Sequence, residues 1–112
     1  MKPLPIAILI SGSGTNLQAI IDLVRAKKIN VEIKVVISSK ADAFGLQRAQ
    51  KDDIPTKVFS YKEFKEAGLG TREEYDEKLA QLVARHNAKL VVLAGWMHVL
   101  SAKFLQHFPN KG

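Results

Sequence analysis

The 112-residue chain contains no cysteine. That excludes disulfides, thiolate metal sites and a cysteine nucleophile, and it agrees with a reducing compartment. No apolar run approaches the ~20 residues needed to span a membrane. No signal peptide is expected either: only Lys2 precedes Pro3 and Pro5, and no small-residue cleavage site follows the short apolar run. These absences predict a cytoplasmic protein without a membrane partner. Aromatic residues make up only 7% and do not interleave with the basic ones, which argues against a nucleic-acid surface. No His, Asp or Glu spacing resembles a metal site, so no metal is expected. The serines lack the Gly-x-Ser-x-Gly elbow, and no lysine follows the glycine pair near the N-terminus as a Walker loop requires.

Acidic residues are fewer than basic ones, 11 against 17, giving a net charge of +6. Lys27 and Lys28 are the only adjacent basic pair. Scattered charge of this kind is either a solvated basic surface or a field that steers a small anionic substrate. The length suits one domain with a modest core.

Apolar runs alternate with amphipathic stretches. Residues 6–10 (Ile-Ala-Ile-Leu-Ile) form a continuous apolar run, as in a strand buried on both faces. Leu17, Ile20, Ile21 and Val24 then follow helical spacing. Residues 31–38 alternate at first and then become fully apolar, predicting a second strand. A short helix is expected over 43–51, with Asp42 as a candidate N-cap, and a short strand over 56–59. Residues 61–70 read as a polar loop or frayed helix with Gly68 and Gly70 as breakers. Thr71 and Glu74 form a capping box, which opens a helix whose apolar stripe is Tyr75, Leu79, Leu82, Val83 and His86. Residues 90–94 are another apolar strand ended by Gly95, and Ser101 is placed to cap a last short helix carrying Phe104 and Leu105. The order βαβαβαβα predicts an α/β fold, a doubly wound, mainly parallel Rossmann-like sheet. Such sheets bind ligands at the carboxyl ends of their strands, where the strand order reverses.

Two segments fall on that rim. Gly12-Ser-Gly14-Thr-Asn-Leu17 begins like a dinucleotide fingerprint, but Leu17 stands where the third glycine belongs. Glu32, about twenty residues on, lies at the start of its strand and not at its end, where Ser38-Ser39-Lys40 could suit a 2′-phosphate. A phosphate-bearing mononucleotide-like ligand fits best, an NADP site is the alternative, and a purely structural glycine turn is the third reading. Asn16 is either a helix cap or a ligand for a sugar hydroxyl or phosphate, and Thr15 has the same ambiguity. The second segment, residues 94–101, strings Trp96, Met97, Val99 and Leu100 together, as a buried crossover or as the wall of an apolar pocket. His98, His86 and His107 have no evident chemical partner in the sequence.

Four ordered segments together resemble the folate-dependent glycinamide ribonucleotide formyltransferases of purine biosynthesis. They are residues 10–20 (Ile-Ser-Gly-Ser-Gly-Thr-Asn-Leu-Gln-Ala-Ile), residues 37–46, Arg72 to Asp76, and residues 92–101. The resemblance covers essentially the whole chain. It implies formyl transfer from 10-formyltetrahydrofolate to the amine of glycinamide ribonucleotide. It implies that Gly14, Thr15 and Asn16 hold the substrate's phosphate and ribose. Arg72 then meets the folate's benzoyl-glutamate end, where a fixed cation suits a carboxylate, and Met97, His98, Val99 and Leu100 line the pterin site. At His98 the family often has arginine, so a charge contact there becomes pH-dependent, and at Trp96 it commonly has phenylalanine. The family's catalytic asparagine, histidine and aspartate have no match in residues 1–112. The transfer needs a general acid/base and a stabiliser of the oxyanion. The resemblance therefore implies that residues 1–112 are the N-terminal substrate-binding half, inactive alone, and open to self-association or pairing with a C-terminal half.

Overall fold

The computed structural model describes residues 3–12 and 14–96. Four strands, β1 (Leu4–Ile10), β2 (Val31–Ser38), β3 (Thr56–Val58) and β4 (Leu90–Leu93), form one parallel sheet in the order β3-β2-β1-β4. The helices are α1 (Thr15–Arg25), α2 (Phe44–Lys51), α3 (Tyr61–Glu66) and α4 (Arg72–Arg85). This is the doubly wound arrangement expected from the alternation of apolar runs.

β1 supplies both cores. Its Ile6, Ile8 and Ile10 pack with Leu17 and Ile21 of α1 and Ala49 of α2 on one face. Ala7 and Leu9 pack with Phe64, Tyr75, Leu79, Ala80 and Val83 of α3 and α4 on the other. A strand covered on both faces has no polar alternation, which is why residues 6–10 are all apolar. In β2 the register slips between Ile6 and Ala7 of β1: Ile6 faces Ile33, but Ala7 faces Val35. The extra residue, Lys34, pairs with Glu32 at 3.1 Å. Beyond this bulge Val35, Val36 and Ile37 are fully buried, which accounts for the change from alternation to an apolar run.

Two local expectations are corrected. Asp42 does not cap α2: the cap position is Ala43, and no side chain bonds the first turn. Of the two readings of residues 61–70, the helical one holds over Tyr61–Glu66: α3 forms there, with the Ser60 hydroxyl accepting from Glu63 N and Phe64 buried at 3% exposure. The strand–helix alternation is therefore broken by two successive helices before β4. The capping box of α4 is present as expected, Thr71 Oγ1 accepting from Glu74 N and Glu74 Oε1 accepting from Thr71 N. The expected final helix after Ser101 lies outside the described residues.

Candidate functional site

The chain leaves β1 toward β2 on one side, while β4 lies on the other side of β1. The carboxyl ends of β1 and β4 therefore flank the point where strand order reverses, the usual ligand crevice of this architecture. Gly12 and Gly14 follow β1 directly, and Ala94 N donates to Leu9 O at 2.9 Å, binding the exit of β4 to the same place.

Gly14 is the N-cap of α1, with φ +77°, and the first helical bond runs from Gln18 N to Gly14 O. Asn16 is thus inside the first turn and exposed, not the cap; a cap needs extended or left-handed backbone, and Gly14 supplies it without a Cβ penalty. Thr15 is likewise exposed. The first N–H groups of a helix have no intrahelical acceptor. α4 answers that deficit with the Thr71 hydroxyl and with Glu73 and Glu74, whereas α1 has no side-chain cap and no acid in its first turn. Its positive dipole end is left to face the crevice, and an anion is the complement.

Gly14 has a second duty. A Cβ there would lie 2.5 Å from the Cα of Gly45, in the first turn of α2, so two glycines allow the N-termini of α1 and α2 to touch. Gly45 N also donates to Gly12 O at 3.1 Å. Close packing here runs helix to helix through Gly45, and fully buried Leu17 fills the core where the dinucleotide fingerprint has its third glycine. The sequence reading missed Gly45, whose signal was a glycine inside a helical segment.

The neighbouring turn is tied to the same loop. Ser39 Oγ donates to Ser11 Oγ at 2.8 Å, and Ser39 N donates to Ile10 O at 3.1 Å. Ser38 Oγ donates to the Lys40 carbonyl at 2.7 Å and accepts from Lys40 N at 3.0 Å. The serine hydroxyls expected to suit a 2′-phosphate are engaged in holding the turn, which disfavours that use.

Arg72 opens α4 on the opposite face of the sheet. α4 runs back against the strands, so its first turn lies at their carboxyl ends, and the Tyr75 hydroxyl donates to the Phe59 carbonyl just past β3. Arg72 is one-third exposed, its Nε 3.4 Å from Oδ1 of fully buried Asp76 and its Cζ 5.0 Å from the Tyr61 ring centroid. Arg72 and the glycine loop thus share a rim without sharing a face. Met97, His98, Val99 and Leu100 lie outside the described residues. Trp96 is buried in the α3–α4 core. His86 ends α4, its Nδ1 2.9 Å from the Leu82 carbonyl. Among the described residues no cluster of His, Asp or Glu could hold a metal.

Tyr75 sits in an aromatic cluster, stacked on Phe59 at 4.4 Å and edge-on to Tyr61 and Phe64. Burial and then the Asp76 charge push its phenol pKa well above the ordinary value, against a smaller lowering by Arg72. Above pH ~10 the unfolded chain loses this proton while the folded one keeps it, so stability should fall there by up to about 1.4 kcal/mol per pH unit from this group. Tyr75→Phe removes that component and loses about 1 kcal/mol at neutral pH with the hydroxyl bond. Urea titrations of both proteins between pH 8 and 11 test this; parallel pH curves would exclude it.

A family model described as formyl transferase matches residues 4–112. The chain belongs to the formyl transferase family. Among curated relatives, it is 49% identical over 108 residues to a phosphoribosylglycinamide formyltransferase of Dictyostelium discoideum, covering 94% of this chain and 52% of the relative. It is 42% identical over 106 residues to the enzyme of that name from Escherichia coli strain K12, covering 95% and 48%. A solved glycinamide ribonucleotide transformylase 1 from Symbiobacterium toebii superposes with a TM-score of 0.88 at 38% identity, covering 96% of this chain and 49% of that one. The chain spans about half the length of the curated relatives it matches first. Formyl transferases of this kind share its parallel Rossmann-like sheet. No helix among the described residues is long and apolar enough to cross a membrane.

Proposed function

We propose that this chain is the substrate-binding half of a phosphoribosylglycinamide formyltransferase acting in purine biosynthesis in the cytoplasm. The observation that carries the reading is the α1 N-terminus: a glycine cap, no acid in the first turn, and a position at the reversal of strand order. In this reading the backbone of Gly14, Thr15 and Asn16 holds the phosphate, and the exposed Thr15 and Asn16 side chains meet the ribose. The formyl group comes from 10-formyltetrahydrofolate, and the amine of glycinamide ribonucleotide receives it. Arg72 suits the donor's glutamate carboxylate because it is permanently charged and held in place. The contribution of these residues is orientation: they bring two substrates to one rim, which lowers the entropic part of the barrier. Self-association or pairing with a C-terminal half belongs to the same reading, and half-buried Leu90, Val91 and Val92 on the outer strand of the described sheet support it.

The test is titration with glycinamide ribonucleotide and, separately, NADP, followed by amide chemical shifts. The ribonucleotide should bind and move the amides of Gly14, Thr15 and Asn16. Preference for NADP, or shifts confined to scattered surface lysines, would refute the assignment.

A further inference from the structure

The apolar stripe of α4 contains one charged residue. Asp76 lies between Tyr75 and Leu79 in the helix and is, like them, wholly buried. Burying a carboxylate costs several kcal/mol unless a cation compensates, and an apolar side chain of similar size often makes a more stable core. For Asp76 that cation is Arg72. It lies one turn after Arg72 and pairs with its Nε, while Tyr61, the first residue of α3, lies against the guanidinium. The Tyr61 ring is itself braced edge-on by Tyr75 at 5.4 Å. An arginine bonded through Nε and packed over an aromatic face has lost most of the rotational freedom of its long side chain. Its planar fork then has a set direction, which is the requirement for two-point recognition of a carboxylate.

We propose that Asp76 and Tyr61 are positioning residues that orient Arg72 toward a carboxylate-bearing ligand at the start of α4. The identity of that ligand as the glutamate end of a folate rests on the function proposed above; the orientation itself does not. Two effects of Asp76 oppose each other. Its negative charge weakens the attraction of Arg72 for an anion, whereas its bond aims the guanidinium. The sign of the change on removing it decides which dominates.

The probe is p-aminobenzoyl-glutamate, titrated calorimetrically against the wild type, with its diamide as the uncharged control and ribose 5-phosphate as the control for the glycine loop. Asp76→Ala should weaken p-aminobenzoyl-glutamate about tenfold, the worth of one charge-assisted bond. Asp76→Asn, which keeps an acceptor of the same shape, should stay within about threefold of wild type. In an Arg72→Ala background, Asp76→Ala should have no further effect. Tyr61→Leu should weaken binding about threefold, the scale of an exposed cation–π contact, and it serves if Asp76→Ala fails to fold. Ribose 5-phosphate affinity should be unchanged throughout. Tighter binding by Asp76→Ala and Asp76→Asn would overturn the proposal, since charge would then outweigh aim. So would unchanged affinity in Asp76→Ala or Tyr61→Leu, or wild-type binding that does not distinguish the probe from its diamide. Loss of ribose 5-phosphate binding alone would count against the proposed function and leave the Arg72 geometry standing.

Discussion

Gly14→Ala is expected to lower the free energy of unfolding by about 2–5 kcal/mol, combining ~1–2 for a side chain in left-handed backbone with ~1–3 for overpacking. Both penalties are local to this site: φ is +77°, and the new Cβ would sit 2.5 Å from backbone of the neighbouring helix. The obstacle cannot rotate away as a side-chain tip would. Gly45→Ala makes the contrast. Its Cβ would meet Ile10 Cδ1 at 2.5 Å and Gly14 Cα at 3.1 Å, and the first of these is a movable methyl. Alanine also favours the helix by about 1 kcal/mol over glycine. Its loss should be smaller, about 1 kcal/mol, and Ile10→Val should recover part of it by removing the obstructing methyl. Urea unfolding of the three variants and the Gly45→Ala/Ile10→Val pair gives the answer. A Gly14→Ala protein within 1 kcal/mol of wild type would mean that the α1–α2 contact yields easily and that these glycines do not set it.

Thr15→Glu should divide stability from binding. Thr15 is the first residue of α1 and is exposed, so a glutamate there fits without packing changes and meets an unopposed helix dipole. The free protein should gain about 0.3–1 kcal/mol. Phosphate or ribose 5-phosphate should bind at least ~100-fold more weakly, because a like charge about 5 Å away costs ~3 kcal/mol at an effective dielectric constant of 20. Thr15→Gln, of the same size and uncharged, is the control and should lose far less. Thermal unfolding and calorimetry together test the claim. Unchanged anion affinity in Thr15→Glu would place the anion away from this helix end.

Where sequence and structure agree, the governing physics is local or periodic. The apolar strands were legible because a strand covered on both faces must be apolar throughout, and the Thr71 capping box because it needs only four residues. The glycine loop was legible because strand, glycines and helix follow one another directly. The caps of α1 and α2 were misread for the opposite reason. Asn16 and Asp42 are good capping residues, but the cap position is decided by how the chain leaves the sheet and by the Gly14–Gly45 contact, which spans 31 positions. Loop and helix stay undecided from sequence over residues 61–70 because their polar composition hides the inward Phe64, whose value lies in the cluster with Phe59 and Tyr75.

The amino-acid order by itself determined the fold class, the parallel winding, the family and the loop at the carboxyl end of β1. Each follows from patterns within a few turns of chain or from motifs in a set order. Only tertiary structure decided the rest. It joined Ser11 to Ser39, let Gly14 meet Gly45, and buried Asp76 beside Arg72 with Tyr61 against the guanidinium. These are contacts between side chains or backbones whose partners are chosen by how layers stack. An aspartate next to a tyrosine reads as surface charge until the helix is seen to turn that face inward. The site's shape therefore depends on close approaches that no periodicity encodes.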